Sequence, residues 1–97
     1  MTIQKSLQDD TLTVTLEGRL DTLTSPDLER ALNDLADIDH LIIDFSGVSY
    51  ISSAGLRVLL SLQKRMSDGK DMVVKNVQSA VLEVFDMAGF TDILTIV

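Results

Sequence analysis

The first part of the chain alternates between apolar and polar residues. From Thr11 to Leu16, leucine and valine occupy every second position and threonines fill the positions between them. Strict alternation of this kind is typical of a β-strand with one buried face. Residues 3–7 show a weaker form of the pattern, and Gln8-Asp9-Asp10 supplies turn-forming residues between the two segments. The sequence therefore predicts an antiparallel hairpin at the amino terminus.

Three later segments carry apolar residues at helical spacing. The first begins at Ser25, which is suited to cap a helix, and is followed by Pro26, which fits a first helical turn. Its apolar face continues to Ala36. A second helix is predicted over residues 53–67 and a third over residues 78–88, and a glycine follows each of them, as is common at helix ends.

Short apolar runs separate these helices. Leu41–Phe45 shows little alternation, which is typical of a strand covered on both faces, so it is predicted to lie centrally in a sheet. A loop over residues 46–50 follows, and further strands are predicted at residues 72–74 and 93–97. The predicted order is ββαβαβαβ: an α/β domain over residues 1–97, with a mixed, mostly parallel sheet, an antiparallel amino-terminal hairpin and three helices.

The charge of the chain is concentrated in its first half. The net charge of the whole chain is −7, and residues 1–44 carry ten acids against three bases, whereas residues 45–97 carry five of each. An acidic surface repels phosphate backbones, so nucleic-acid binding is not expected and a partner with a basic patch is favoured. The alternative is that the acids only keep the protein soluble.

The sequence contains no signal for export or membrane insertion. Residues 1–10 lack a basic start and an apolar stretch, and no apolar run approaches the roughly 20 residues that span a bilayer. The chain has no cysteine, which excludes disulfides and a thiol nucleophile. A cytoplasmic protein is therefore expected.

Known catalytic and nucleotide-binding motifs are missing. The segment around Ser53, residues 51–55, lacks the first glycine of a hydrolase elbow, and the only histidine, His40, cannot build a triad or a metal site alone. No glycine-rich phosphate loop is present. Asp44 imitates only one part of a receiver-type phosphoacceptor site. We therefore expect no enzyme activity and no cofactor.

Two serines, Ser52 and Ser53, lie at the predicted junction between the loop that follows the central strand and the second helix. One of them could serve only as a helix cap, which is worth about 1 kcal/mol. Alternatively, a phosphate transferred to Ser53 would add about −1.5 to −2 charges and three strong acceptor oxygens, which can prevent a partner from docking. The residues alone leave both interpretations open.

The chain resembles the STAS family, the anti-sigma factor antagonist domains of bacteria. The resemblance rests on residues 44–48 (Asp-Phe-Ser-Gly-Val) and 50–56 (Tyr-Ile-Ser-Ser-Ala-Gly-Leu). It is supported by residues 18–21 (Gly-Arg-Leu-Asp) and 84–90 (Val-Phe-Asp-Met-Ala-Gly-Phe). These motifs follow the order and spacing of the family and cover nearly the whole chain.

The resemblance implies a partner switch. The unphosphorylated antagonist binds an anti-sigma factor that is also a serine kinase, phosphorylation by that kinase releases the antagonist, and a serine phosphatase resets it. The acceptor serine of the family falls on Ser53, with Ser52 as a minor alternative. ATP and magnesium would belong to the kinase. The family often has Asp before the acceptor and Ser or Thr after it, whereas this chain has Ser52 and Ala54.

The same resemblance implies a partner-binding surface around the acceptor, comprising Asp21, Ser52, Ser53, Ala54, Gly55 and Arg57. Asp21 could instead be a turn residue, and Gly55 could instead ease helix packing. A different class of function is also compatible with the family. In that alternative, the chain is a constitutive accessory subunit of a membrane lipid-transport ATPase complex, and Ser53 is only a helix cap.

Overall fold

The computed structural model describes all residues, 1–97, and begins with the predicted hairpin. Strand β1 (Thr2–Gln8) pairs antiparallel with strand β2 (Thr11–Leu20), and Leu7 lies opposite Leu12 next to the turn. Asp9 adopts a left-handed conformation in this turn, with φ of 57°, which aspartate tolerates better than most residues.

The remaining elements follow in the predicted order ββαβαβαβ, which the structure confirms. They are helix α1 (Ser25–Ala31), strand β3 (His40–Ile51), helix α2 (Ser53–Arg65), strand β4 (Asp71–Lys75), helix α3 (Ser79–Met87), a single 3₁₀ turn (Phe90–Asp92) and strand β5 (Thr95–Ile96). The sheet has the order β1-β2-β3-β4-β5, and all pairs after the hairpin are parallel. No helix combines the length and hydrophobicity needed to cross a membrane.

All three helices cover the same face of the sheet. The rings of Phe45 on β3 and Phe85 on α3 lie 5.9 Å apart in the core, and Lys5 reaches from β1 to the carbonyl of Ala31 at the end of α1. Strands β2 to β5 are added in one direction across the sheet, and right-handed crossovers in one direction place every helix on one side. The domain therefore has two layers.

This layering corrects the prediction that β3 is covered on both faces. Leu41, Ile43 and Phe45 are fully buried beneath the helices, whereas Ile42 and Asp44 point the other way and remain partly exposed. The absence of alternation in the sequence came from one apolar residue, Ile42, on the helix-free face. The predicted central position of β3 in the sheet is confirmed.

Helix α1 differs from its prediction at both ends. Thr24, not Ser25, occupies the cap position, and the helix ends at Ala31, not at Ala36. Leu32 and Leu35 are nevertheless buried, as their apolar spacing suggested. The turns after Ala31 thus keep these side chains in the core without continuing the helix.

Candidate functional site

Strands β2 and β3 extend beyond the rest of the sheet as a two-stranded ribbon. Strand β4 pairs with β3 only as far as Asp44, and β1 pairs with β2 only as far as Glu17, while the β2–β3 pairing continues to Leu20 opposite Ile51. At the tip, the backbone N–H of Ser52 donates a hydrogen bond of 2.9 Å to the carbonyl of Leu20. The ribbon therefore positions the start of α2 at one end of the molecule.

The outer part of β3 is the segment that the sequence predicts as a loop. Two irregularities each add one residue to β3 relative to β2, since Thr15 faces Asp44 but Glu17 faces Gly47, and a second shift follows Gly18. The buried residues of this segment are consequently spaced by three: Phe45, Val48 and Ile51. The period of two that identifies a strand is lost, so the loop prediction was wrong.

Asp44 and Gly47 make this irregular pairing feasible. The Asp44 carboxylate accepts hydrogen bonds from the backbone N–H of Ser46 at 2.9 Å and from the Asn76 amide at 3.3 Å, and the first of these lowers the pKa of Asp44 most. A Cβ on Gly47 would lie 2.8 Å from the carbonyl oxygen of Leu16. Gly47 is therefore required by the close approach of two strands, not by a turn.

Ser52 and Ser53 have different structural roles. Ser52 is the cap of α2: it is half-buried, and its hydroxyl accepts from the backbone N–H of Gly55 at 3.5 Å. Ser53 is the first residue of the helix, is exposed, and makes no side-chain hydrogen bond. The capping role thus belongs to Ser52, and the hydroxyl of Ser53 is free.

Gly55 lies in the first turn of α2, beneath the exposed residues at the start of the helix. It is buried, and a Cβ at this position would lie 2.8 Å from Ile51 Cγ1 and 2.9 Å from Leu20 Cγ. The first turn of α2 can therefore pack directly on the ends of β2 and β3 only because residue 55 has no side chain. Of its two predicted roles, the structure favours helix packing.

Asp21 organises the loop between β2 and α1. Its Oδ1 atom accepts the backbone N–H groups of Leu23 at 3.0 Å and Thr24 at 3.1 Å, and its own N–H donates to the Thr24 hydroxyl at 2.9 Å. The hydrogen bond from the Thr24 backbone is the main cause of a lowered pKa for Asp21. The predicted turn role is therefore present, and Oδ2 remains directed toward Arg19 at 3.8 Å from its Nε.

Arg19 and Tyr50 form a stacked pair that sequence reasoning missed. The two residues face each other across the ribbon, and the Arg19 Cζ atom lies 4.1 Å from the centre of the Tyr50 ring. Tyr50 is 41% exposed. The two irregularities shift the register of β3 against β2 before residue 50. Counting residues along two regular strands would therefore not have paired residues 19 and 50.

A shallow groove of about 330 Å³ separates the starts of α1 and α2. Pro26 and Glu29 line it from α1, and Ala54 and Arg57 line it from α2. Ser25 also lines the groove; it is 2% exposed and its hydroxyl has no hydrogen-bond partner. The predicted residues Asp21, Ser52, Ser53, Ala54 and Arg57 thus gather at one end of the domain, with Gly55 under them.

The lone histidine lies at the opposite end. His40 begins β3, and its Nδ1 lies 2.8 Å from the Asp71 carboxylate at the start of β4. This hydrogen bond is the first cause of a raised pKa for His40. No group of three or more His, Cys, Asp or Glu side chains is arranged to hold a metal ion. The ribbon end therefore offers exposed hydroxyls, of which that of Ser53 stands at the start of α2.

Comparison with known proteins identifies the family. A model of the STAS domain matches residues 2–97. BtrV of Bordetella bronchiseptica, described as a candidate anti-sigma factor antagonist, is 31% identical over 93 residues, which cover 91% of this chain and 78% of BtrV.

Solved structures agree on the fold. An anti-sigma factor antagonist from Mycobacterium paratuberculosis has a TM-score of 0.88 at 23% identity, covering 98% of this chain and 83% of that one. The Bacillus anti-sigma factor antagonist SpoIIAA has a TM-score of 0.75 in its unphosphorylated form at 18% identity, covering 99% of this chain and 87% of that one. Its phosphorylated form has the same TM-score of 0.75 at 16% identity, covering 99% of this chain and 91% of that one. The sequence match over nearly the full length and the shared fold show that the chain belongs to the STAS domain family.

Proposed function

We propose that this protein is an anti-sigma factor antagonist that is switched by phosphorylation at Ser53. Unphosphorylated, it binds an anti-sigma factor with serine-kinase activity; the phosphorylated form is released, and a serine phosphatase restores it. The observation that carries this proposal is the exposed hydroxyl of Ser53, which makes no side-chain hydrogen bond and stands at the tip of the ribbon.

Relatives support this role. SpoIIAA is an anti-sigma factor antagonist whose structure is known both without and with phosphate. BtrV, the M. paratuberculosis protein and SpoIIAA all carry the description of anti-sigma factor antagonists, BtrV as a candidate.

The geometry favours Ser53 over Ser52 as the acceptor. The Ser52 hydroxyl is half-buried and engaged by the Gly55 N–H, so a phosphate there would remove a cap worth about 1 kcal/mol. The Ser53 hydroxyl has no such engagement. Replacement of the family's flanking Asp and Ser or Thr by Ser52 and Ala54 leaves this difference in access unchanged.

A phosphate at Ser53 would act on docking and not on folding. A negative group at the start of a 13-residue helix is stabilised by the helix dipole, so α2 is retained. The group adds about −1.5 to −2 charges to a surface that a partner must cover. Since the partner has to approach this site to transfer the phosphate, the product of the reaction weakens the complex that formed it.

In this role the chain carries out no chemistry itself. The kinase supplies ATP and magnesium, and the chain supplies only the hydroxyl. Sigma factors act on RNA polymerase in the bacterial cytoplasm, so the proposed role places the protein there.

Phosphate mapping tests the proposal. The purified protein is incubated with ATP and an anti-sigma factor kinase of the same organism, and the products are analysed by intact mass and phosphopeptide sequencing. We expect one phosphate, on Ser53, none on Ser53→Ala, and unchanged labelling of the matched control Ser52→Ala.

Full labelling of Ser53→Ala would contradict the assignment of the acceptor. The same mapping on protein isolated from its own cells separates the switch from the accessory-subunit alternative. A constitutive transport subunit would carry no phosphate under any growth condition.

A further inference from the structure

The ribbon tip exposes a preorganised pair, Arg19 and Tyr50. Neither residue is needed as an acceptor when Ser53 is phosphorylated. Arg19 is held from two sides: its guanidinium carbon lies 4.1 Å from the centre of the Tyr50 ring, and its Nε lies 3.8 Å from Asp21 Oδ2. Asp21 is itself fixed by backbone N–H groups of its loop. A long side chain is thereby oriented before any partner binds.

The pair also has unused binding capacity. The Arg19 side chain is 60% exposed and makes no hydrogen bond within the chain, so the terminal N–H groups of its guanidinium are free for a bidentate contact with a carboxylate. Tyr50 is 41% exposed. Arginine and tyrosine are enriched among the residues that dominate binding energy at interfaces, and preorientation lowers the entropy lost on binding.

The pair adjoins the acceptor. Tyr50 precedes Ser53 by three residues, and the Leu20 carbonyl, next to Arg19, accepts the N–H of Ser52. The stacked pair and the acceptor are therefore at the same end of the ribbon.

The sign of the charge limits what can dock there. Residues 1–44 carry only three bases, one of which is Arg19. A partner that is basic throughout would suit the acidic surface but would repel Arg19. Charges placed in this way select a partner more than they strengthen its binding.

We propose that Arg19 and Tyr50 form a specificity-determining part of the partner interface, at which the anti-sigma factor places a carboxylate against Arg19 and an apolar side chain against the Tyr50 ring. This inference rests on the proposed function, because it assigns residues to the same docking event. It adds two residues to the surface around Ser53 and states the chemistry of the partner.

Calorimetry without ATP tests the inference, since binding is then measured with no phosphate transfer. The probe is the kinase that labels Ser53 in the mapping experiment. We expect Arg19→Ala and Tyr50→Ala to weaken binding at least tenfold, and Tyr50→Phe to stay within about twofold of the unchanged protein because it keeps the ring. The matched control Met87→Ala, which truncates a side chain 84% exposed on α3, is expected to bind unchanged.

Two further variants test the chemistry of the pair, and thermal unfolding separates effects on binding from effects on folding. Arg19→Lys keeps the charge and the stem but loses the planar fork, so intermediate affinity is expected. The double variant Arg19→Ala/Tyr50→Ala is expected to lose less than the product of the two single effects, since the stacked pair acts as a unit. Thermal unfolding of every variant identifies any loss that comes from the fold.

Unchanged affinity of folded Arg19→Lys, Arg19→Ala and Tyr50→Ala, with Ser53 still labelled, would overturn the inference and leave the proposed function intact. Failure of the unchanged protein to bind or to be labelled would instead overturn the proposed function. The two failures are therefore distinguishable.

Discussion

The two ends of β3 differ in how their polar groups are used. At the amino end, His40 bonds to Asp71, and the N–H groups of Asp39 and His40 both donate to the Asp10 carbonyl. At the carboxyl end, the Ser53 hydroxyl and the Arg19 guanidinium remain without hydrogen bonds. Both ends are polar and both are exposed. A histidine and an aspartate thus bind each other at the amino end, whereas a hydroxyl and a guanidinium at the carboxyl end are left for a partner.

The largest effect is expected from Gly47→Ala, which damages the pairing of β2 and β3 at the carboxyl end of β3. Its Cβ would lie 2.8 Å from the Leu16 carbonyl oxygen, and overpacking between strands typically lowers the free energy of unfolding by about 1–3 kcal/mol. Urea unfolding measures this change. A nearby exposed control, Ser49→Ala, is expected to stay within about 0.5 kcal/mol; equal stabilities would show that the pairing of β2 and β3 does not depend on this close approach.

Ser53→Asp is expected to have the next largest effect, on binding alone. A carboxylate at the acceptor should weaken binding of the kinase at least tenfold, about 1.4 kcal/mol, with little change in stability because it lies at the favourable end of the α2 dipole. Calorimetry measures the affinity. Asp71→Asn at the opposite end is the control, and an affinity of Ser53→Asp equal to that of the unchanged protein would argue against the switch.

Ser52→Ala should affect stability and leave the acceptor intact. Loss of the cap hydroxyl is expected to lower the free energy of unfolding by about 1 kcal/mol, while phosphate is still transferred to Ser53. Denaturant unfolding and intact mass provide the two readings. Loss of labelling in a folded Ser52→Ala variant would reverse the roles assigned to the two serines.

The smallest effect is expected at the amino end, where the His40–Asp71 pair should give a weak dependence of stability on pH. The pKa of His40 is raised above 6.5, first by the hydrogen bond to Asp71 and then by the charges of Asp71, Asp10 and Asp39. The stabilisation is therefore complete below pH 6.5 and is lost as the pH rises through the higher pKa of the folded state.

Thermal unfolding across this range, with His40→Gln as the comparison, checks the sign. The variant should lose the slope in this window while its affinity for the kinase is unchanged. A change in affinity would mean that the two ends of β3 are not independent.

Local periodicity predicted most of the fold. The hairpin, the order of elements and the central place of β3 are all encoded in short segments, each of which shows its own pattern of apolar residues. The family motifs likewise indicated Ser53 and Asp21 as site residues, and the structure brings both to one end. These are features that depend on neighbours in sequence.

The features that the sequence did not predict depend on contacts between segments that are distant in sequence. Residues 46–50 form a strand only because β2 continues alongside them, and the bulges hide the usual alternation. The stacking of Arg19 on Tyr50 follows from the same irregular register. That Gly47 opposes the Leu16 carbonyl is visible only once both strands are placed.

The one-sided placement of the helices also affects how the sequence can change. Side chains such as Thr13, Thr15 and Ile42 lie on the helix-free face and remain partly exposed, so they can be replaced without opening a cavity in the core. Residues such as Val14 and Ile43, one position away, are fully buried and lack this freedom. Neighbouring residues along the same strand are thus under different constraints: one can be replaced freely and the next cannot. One whole face of the sheet can therefore diverge among relatives while the fold is preserved.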